Sequence, residues 1–600
     1  MTFRVWRSRR TLPSAWATAS MPVAGLLGAI ALSICAPCAT VPAAEPAAQP
    51  AAQRPGTCPG NNGGIALPPG FCATVFADHL GHARHLVVAP DGVVYVNTWS
   101  GVYYPNQPPP PGGFVVALKD NRGTGRADVI RRFGAGVAQG SAGGTGIAIY
   151  NGAVYAEQND KIVRYRLSPQ SIAPKGAAEV IVSGLPLGGD HPMHPFIIDA
   201  SGNIFVDSGT ATNSCQPRNR MPRVPGASPC TELATRAGIW RFDANRKGQK
   251  FSPAQRYATG IRNGEGMSFD AAGRLFVTQH GRDQLGENWP ELYTPAIGQE
   301  LPAEEIVQLE ENGDYGWPTC YFDGAQKRLV LAPEYGGDGG HAAGVCAQKR
   351  APVAFFPAHW APNDLLIYNA QQFPPQYRGG AFVAFHGSWN RAPGPQQGYD
   401  VVFQPLADGK VSGDYIVFAD GFAGAEKAPG RAAFRPTGLA MGPDGALFVS
   451  DDVQGRIWRI TYQGGADVPA TLVAASLASA AAGHDARPAV GSLPLAPGIT
   501  RAQLLLGDHV FHGEASGGTC SGCHASDGKG SVVGADLSSG SWIWGDGSMA
   551  AITATITQGV PAAKRAIGAM PPLGGANLSA ADVTAVAAYV WALGHAPHKQ

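Results

Sequence analysis

Charge is scarce in this chain. Asp, Glu, Lys and Arg make up 15% of its 600 residues, and the formal net charge is +1. An average globular chain is roughly a quarter charged, so the basic face that a nucleic-acid partner needs is not provided for. Long apolar runs are missing too. After the first residues no uninterrupted stretch reaches the ~18 residues of a membrane helix, so no transmembrane anchor is expected in the mature chain. Cysteine is sparse, with ten in all. Cys35 and Cys38 lie in the N-terminal segment, and Cys520 and Cys523 sit together near the other end. The remaining six fall into sequence-local pairs, 58/72, 215/230 and 320/346, each of which would staple a loop in an oxidising compartment. Other pairings, and buried free thiols, remain open at this level.

What the chain does have is turn chemistry. Gly (80) and Pro (50) are abundant without a collagen-like period, and 44% of residues are hydrophobic, a balance that favours many short strands around a filled core. Arg4, Arg7, Arg9 and Arg10 precede an apolar run from Pro22 to Ile34, followed by small residues up to Val41-Pro42-Ala43. This reads as a signal peptide over 1–44 and places the protein in the periplasm or outside the cell.

A turn followed by a short apolar strand recurs six times: Asp91-Gly92, Asn151-Gly152, Ser201-Gly202, Ala272-Gly273, Gly379-Gly380 and Asp444-Gly445. Glycine permits the positive φ of tight hairpins, and the β-branched and aromatic residues that follow suit buried strands. Six similar units predict a mainly β fold, a six-bladed β-propeller over 45–463, where a β-sandwich pair would leave the repetition unexplained. The long interval between the fourth and fifth turns predicts an inserted loop holding Cys320 and Cys346.

Residues 464–499 are dominated by Ala, Pro, Gly and Ser and read as a linker. Helix signals follow. Thr500 with Gln503, and Ser579 with Asp582, form capping boxes, and Val583, Val586, Val590 and Leu593 recur at helical spacing. A small all-α cytochrome c domain is expected over 500–600. Its signature is Cys520-Ser-Gly-Cys523-His524: two thiols spaced for thioether bonds to one porphyrin, and a histidine for the iron. A zinc site would need a second ligand pair, and His509 and His512 lie too close upstream. Met570, before Pro571-Pro572, is the expected sixth ligand, with Met549 as the alternative. His/Met ligation makes the domain an electron relay.

Several blocks in the larger part resemble the quinoprotein sugar dehydrogenases, the group of soluble glucose, sorbosone and pyranose dehydrogenases. They are Gly188-Gly189-Asp190-His191, Gly260-Ile261-Arg262-Asn263, Gly281-Arg282-Asp283, Asp314 to Pro318, Phe385 to Arg391, and Arg435-Pro436-Thr437-Gly438. The resemblance implies pyrroloquinoline quinone (PQQ) and calcium in the central depression. His191 would be the general base, with Asp190 able to orient it. Arg262 and Asn263 would face the quinone oxygens, where charge develops. Arg435 and Arg391 would pair with PQQ carboxylates, with Arg84 and Trp389 as further cofactor contacts, and the backbone carbonyls of Gly281 and Arg282 would bind calcium. Two positions depart from the pattern, Gly144-Thr145-Gly146 and His194, which leaves the substrate open.

The function these features imply is oxidation of an aldose or sorbosone-like sugar by PQQ. Electrons would pass to haem c and on to an external acceptor, a soluble cytochrome or respiratory component. The alternative is a non-enzymatic ligand-binding propeller with an electron-carrier domain. An eight-bladed quinoprotein alcohol dehydrogenase would carry tryptophan-docking repeats and a vicinal cysteine pair, and the sequence has neither.

Overall fold

The computed structural model describes residues 58, 60–100, 110–135, 143–391, 394–464, 488–512, 515–516, 520–524, 527–530, 534–560, 570–576 and 578–596. The expected signal peptide and residues 465–487 of the expected linker lie outside these.

Each repeated turn joins the first two strands of one sheet. Gly92, Gly152, Gly202, Gly273, Gly379 and Gly445 hold φ between 68° and 88°, the left-handed region that a side chain would strain. Every such turn belongs to an antiparallel four-stranded sheet, and six of these sheets follow one another. The second gains a short parallel strand, Gln249–Lys250. The ring closes across the chain: Phe71–Ala77, the earliest strand, becomes the outer strand of the last sheet by pairing with Ile457–Tyr462, Phe71 opposite Tyr462. Phe71 packs edge-on against Phe373 and Phe418, ring centroids 4.8 and 4.9 Å apart. Such contacts add about 0.5–1.5 kcal/mol each beyond area burial.

The first strands of all six sheets line an axial cavity of about 340 Å³, with Val87, Ile149, Ile197, Met267, Leu366 and Met441 among its walls. This is the six-bladed propeller. All three expected disulfides form, Cys58–Cys72, Cys215–Cys230 and Cys320–Cys346. The last pins the insertion: the hairpin Cys320–Asp323 with Arg328–Leu331 lies between the third and fourth strands of the fourth sheet.

The C-terminal part is helical, with Arg501–Phe511, Cys520–His524, Met549–Gln558 and Ala580–Gly594. Both capping boxes are present. The first and last helices cross at Gly507, where a Cβ would fall 2.0 Å from the Ala585 carbonyl, so only glycine allows this approach. Packing starts earlier than the sequence boundary at 500. Leu493 is buried in the helical core with Val490 and Ile499 against it, and Arg501 Nη1 donates to the carbonyls of Val490 and Leu493. The stretch read as linker therefore ends before these residues.

Candidate active site and haem crevice

In an antiparallel blade, the start of the first strand and the end of the second share one face. On that face the propeller gathers segments 190–194, 209–220, 261–265, 280–284, 386–391, 435 and 451–452.

Asp283 is the hub. Its Oδ2 accepts from Arg262 Nη2 and Arg220 Nη2, both at 2.9 Å, and its Oδ1 accepts from Asn390 Nδ2 at 2.8 Å. Burial alone would raise this carboxyl, but Arg262 and Arg220 hold it well below the usual carboxylate range. Asp190 flanks the same cation, accepting from Arg220 Nη2 and Asn219 Nδ2, each at 2.9 Å. Arg220 also lies 5.8 Å from the Trp389 ring centre.

His191 Nδ1 is 3.0 Å from both the carbonyl and the hydroxyl of Thr210. A carbonyl can only accept, so Nδ1 carries the proton and Nε2 keeps its lone pair. Burial, followed by the nearby Arg262 cation, holds the imidazole well below its ordinary pKa, so it is neutral. The orienting partner expected in Asp190 is thus replaced by Thr210, because Asp190 is turned toward Arg220. Gly209 lets the site close: a Cβ there would meet His191 Cβ at 2.7 Å and Asn263 Oδ1 at 2.8 Å. Asn263 Oδ1 and Asn390 Oδ1 are buried acceptors with no protein partner.

The other predicted residues divide. Arg435 donates from Nε and Nη2 to the carbonyls of His386 and Gly387, both at 2.8 Å, and lies over Tyr399. Arg84 is buried deeper, bound to Asp452 at 2.7 Å and Glu265 at 3.3 Å, and Asp452 also holds His386 at 2.8 Å. The Arg391 guanidinium binds the carbonyls of Gln299 and Ala358 and the Glu300 carboxylate, and its buried Nε has no protein partner. The Gly281 carbonyl accepts from Arg262 Nη1 at 2.9 Å, and Arg282 is turned to Glu334 and the Asp283 carbonyl. A guanidinium therefore occupies the side of Gly281 expected to face calcium. Among the described residues no group of three or more His, Cys, Asp or Glu could hold a metal ion.

The departures at Gly144-Thr145-Gly146 and His194 share one cause. Buried Glu157 accepts from the backbone N–H groups of Thr145, Gly146 and His194 at 2.7, 3.0 and 2.8 Å, and a Cβ on Gly144 would lie 2.2 Å from its carboxyl carbon. Sequence reasoning did not single out Arg220, Thr210, Asp283 or Asn390. The last two lay inside quoted blocks, whereas Arg220 and Thr210 carried no local signal.

In the helical part, Cys520 and Cys523 are free of disulfides. His524 Nδ1 lies 2.7 Å from the Ala535 carbonyl, which fixes the proton on Nδ1 and leaves Nε2 for iron. Met570 is set by a two-way backbone bridge to Val560, at 2.7 and 2.9 Å, with its side chain against the helical core. Met549 instead begins the helix Met549–Gln558. The 570–574 segment faces the thiols: a Cβ on Gly574 would lie 3.7 Å from Cys520 Sγ. Two cysteine thiols outside any disulfide, an oriented imidazole and a facing methionine segment fit a haem.

Residues 65–463 match the TrAA12-like family model, and 514–590 match the model of cytochrome c oxidase, cbb3-type, subunit III. The chain is similar to the pyrroloquinoline quinone-dependent pyranose dehydrogenase of Coprinopsis cinerea, 27% identical over 247 residues, 34% of this chain and 31% of that protein. It is also similar to an uncharacterized protein of Borreliella burgdorferi, 27% identical over 217 residues, 34% of this chain and 48% of that one. It thus spans less than half the length of these curated relatives. Among solved structures, a Trichoderma reesei carbohydrate-active enzyme of family AA12 aligns with TM-score 0.53 at 18% identity, over 66% of this chain and 98% of the other. The holo PQQ domain of the C. cinerea pyranose dehydrogenase aligns with TM-score 0.52 at 20% identity, over 67% and 98%. These two likenesses speak for the propeller fold. With its family model spanning well over half of the sequence, the chain belongs to the TrAA12-like family and carries a C-terminal cytochrome c domain.

Proposed function

We propose that this protein is a periplasmic or secreted PQQ-dependent sugar dehydrogenase. It oxidises an aldose or sorbosone-like sugar at the anomeric or aldehyde carbon and passes the electrons through its own haem c to an external acceptor. The observation that carries the reading is the neutral His191 beside the Arg262–Asp283–Arg220 cluster. The residues suit both ligands. Arg262, Arg220 and Arg435 supply fixed positive charge for the carboxylates of such a quinone. The unpartnered Asn263 and Asn390 oxygens need donors, and sugar hydroxyls provide them. Calcium fits less well, since Arg262 already approaches the Gly281 carbonyl, and nothing here depends on it.

PQQ, when bound, supplies a quinone that accepts two electrons from an organic substrate. The chain's own residues do the rest. His191 Nε2 takes the proton from the substrate hydroxyl while Thr210 keeps the ring in the proton-accepting tautomer. Arg262 presents fixed positive charge where negative charge grows, and Asp283 holds it in place so that little reorganisation is needed. Cys520 and Cys523 would hold haem c, with His524 and Met570 as its iron ligands, and the group would supply one-electron transfer. The disulfides suit an oxidising compartment.

The test is direct. Full-length haem-loaded protein, reconstituted with PQQ and given a panel of aldoses, should show haem reduction in the visible spectrum. Oxidised haem throughout the panel, with PQQ shown to be bound, would overturn the reading.

A further inference from the structure

We propose that the cytochrome domain docks on the rim of the propeller's site face through an ion pair between Arg431 and Asp527, next to the haem-binding helix. The role of this latch, electron exit from the propeller, rests on the function proposed above.

Arg431 lies in the segment joining the strands Ile416–Ala419 and Pro436–Met441, the same segment that delivers Arg435 to the site face. Its guanidinium binds Glu426 within the propeller at 2.8 Å and reaches across to Asp527. Asp527 follows the haem-binding helix Cys520–His524. Its carboxylate is already set for the partner, with Oδ1 accepting from the Lys529 backbone N–H at 3.1 Å and Oδ2 3.0 Å from Lys529 Nζ. The pair is not an open surface contact: the Asp527 side chain is 6% exposed and that of Arg431 24%. The described residues of the propeller and of the helical part fall within one compact unit.

The chemistry of the contact matches its task. A solvent-exposed ion pair contributes only about 0–1 kcal/mol, and a partly buried one is screened less by salt. Because the two domains share one chain, docking is intramolecular, and an effective concentration on the order of mM lets a weak, reversible interface suffice. A charge latch also fixes orientation more than affinity. That is what a one-electron relay requires, since the same cytochrome must later face an external acceptor.

Charge reversal in the full-length holo-protein tests this. Arg431→Glu and Asp527→Lys should each increase the maximum dimension in small-angle X-ray scattering, and the double swap should restore the wild-type profile. High salt should extend the wild type but leave the single variants unchanged. Sugar-driven haem reduction should slow at least about tenfold in each single variant and recover in the swap. An unaltered haem spectrum establishes that Asp527→Lys keeps its cytochrome fold, and Arg431→Glu, which lies in the propeller and leaves the cytochrome domain's own residues unchanged, carries the test by itself. Single variants with the wild-type scattering profile, or a swap that restores nothing, would overturn the docking. Scattering that changes as expected, in a wild type whose haem no sugar reduces, would uphold the latch and sink the dehydrogenase reading instead.

Discussion

Arg262 and Asp283 are paired at 2.9 Å with side chains 4% and 12% exposed. Buried charges persist only when matched, and here a second arginine, Arg220, shares the same carboxylate oxygen. Asp283→Asn should therefore leave Arg262 short of its counter-ion, while Arg220 keeps Asp190. Breaking a buried pair in this way costs about 3–5 kcal/mol. We expect a clear fall in the thermal midpoint together with loss of sugar-driven haem reduction. An intact midpoint would mean that the arginines do not depend on Asp283.

His191 sits next to the same cations, and this decides how activity depends on pH. The base must be neutral to accept a proton. Burial, then Arg262, depresses its pKa, so activity should be lost only as pH falls through a value well below the ordinary ~6.5 of histidine. Arg262→Gln should move that acid limb upward while lowering the rate. His191→Ala should abolish turnover, by at least about 100-fold, and leave PQQ binding largely intact. Pre-steady-state haem reduction across pH provides the measurement. An acid limb near 6.5 in the wild type would contradict the geometry.

How much of this could be read from sequence depends on whether the signal was local. The turn glycines at 92, 152, 202, 273, 379 and 445 gave the blades because a positive φ is a property of one residue. Both capping boxes and the haem motif are legible for the same reason, since each is complete within a few positions. The surroundings of Arg391 were not legible, because its guanidinium binds the carbonyls of Gln299 and Ala358, partners distant in sequence. Thr210 and Arg220 were illegible on the same grounds: their roles arise only when the third blade's loops fold back over His191 and Asp283. Leu493 joined the helical core from a stretch whose composition resembles a linker. Burial, unlike a turn, leaves no mark on a single apolar residue.

Met570 offers a check on the haem crevice that does not depend on the propeller. Its backbone is fixed by Val560 on both sides, so replacing the side chain should leave the loop in place. Met570→Ala should open one iron position to carbon monoxide or imidazole and lower the haem potential. Met549→Ala should leave the haem spectrum as it is. If the second variant, and not the first, gains carbon monoxide binding, the ligand assignment moves to Met549.

The glutamates at 304 and 305 give the fold a pH dependence of their own. Burial raises both from the ordinary 4.5 to about 8. Glu304 is hydrogen-bonded by the backbone N–H groups of Gly281 and Ala361, whereas Glu305 has a carboxylate oxygen with no protein partner. A carboxyl with a raised folded pKa holds a proton that the unfolded chain releases. Stability contributed by that proton is therefore full below the unfolded value and declines as pH rises through the window from 4.5 to about 8. Glu305→Gln keeps the shape and removes the titration. Near pH ~5 the variant and wild type should unfold at similar temperatures. Near pH ~9 the variant should be more stable by about 1–3 kcal/mol, the cost of an unsatisfied buried acceptor. Thermal unfolding of the holo-protein at the two pH values decides the matter: an equal difference at both would show that Glu305 does not change ionisation between the folded and unfolded states.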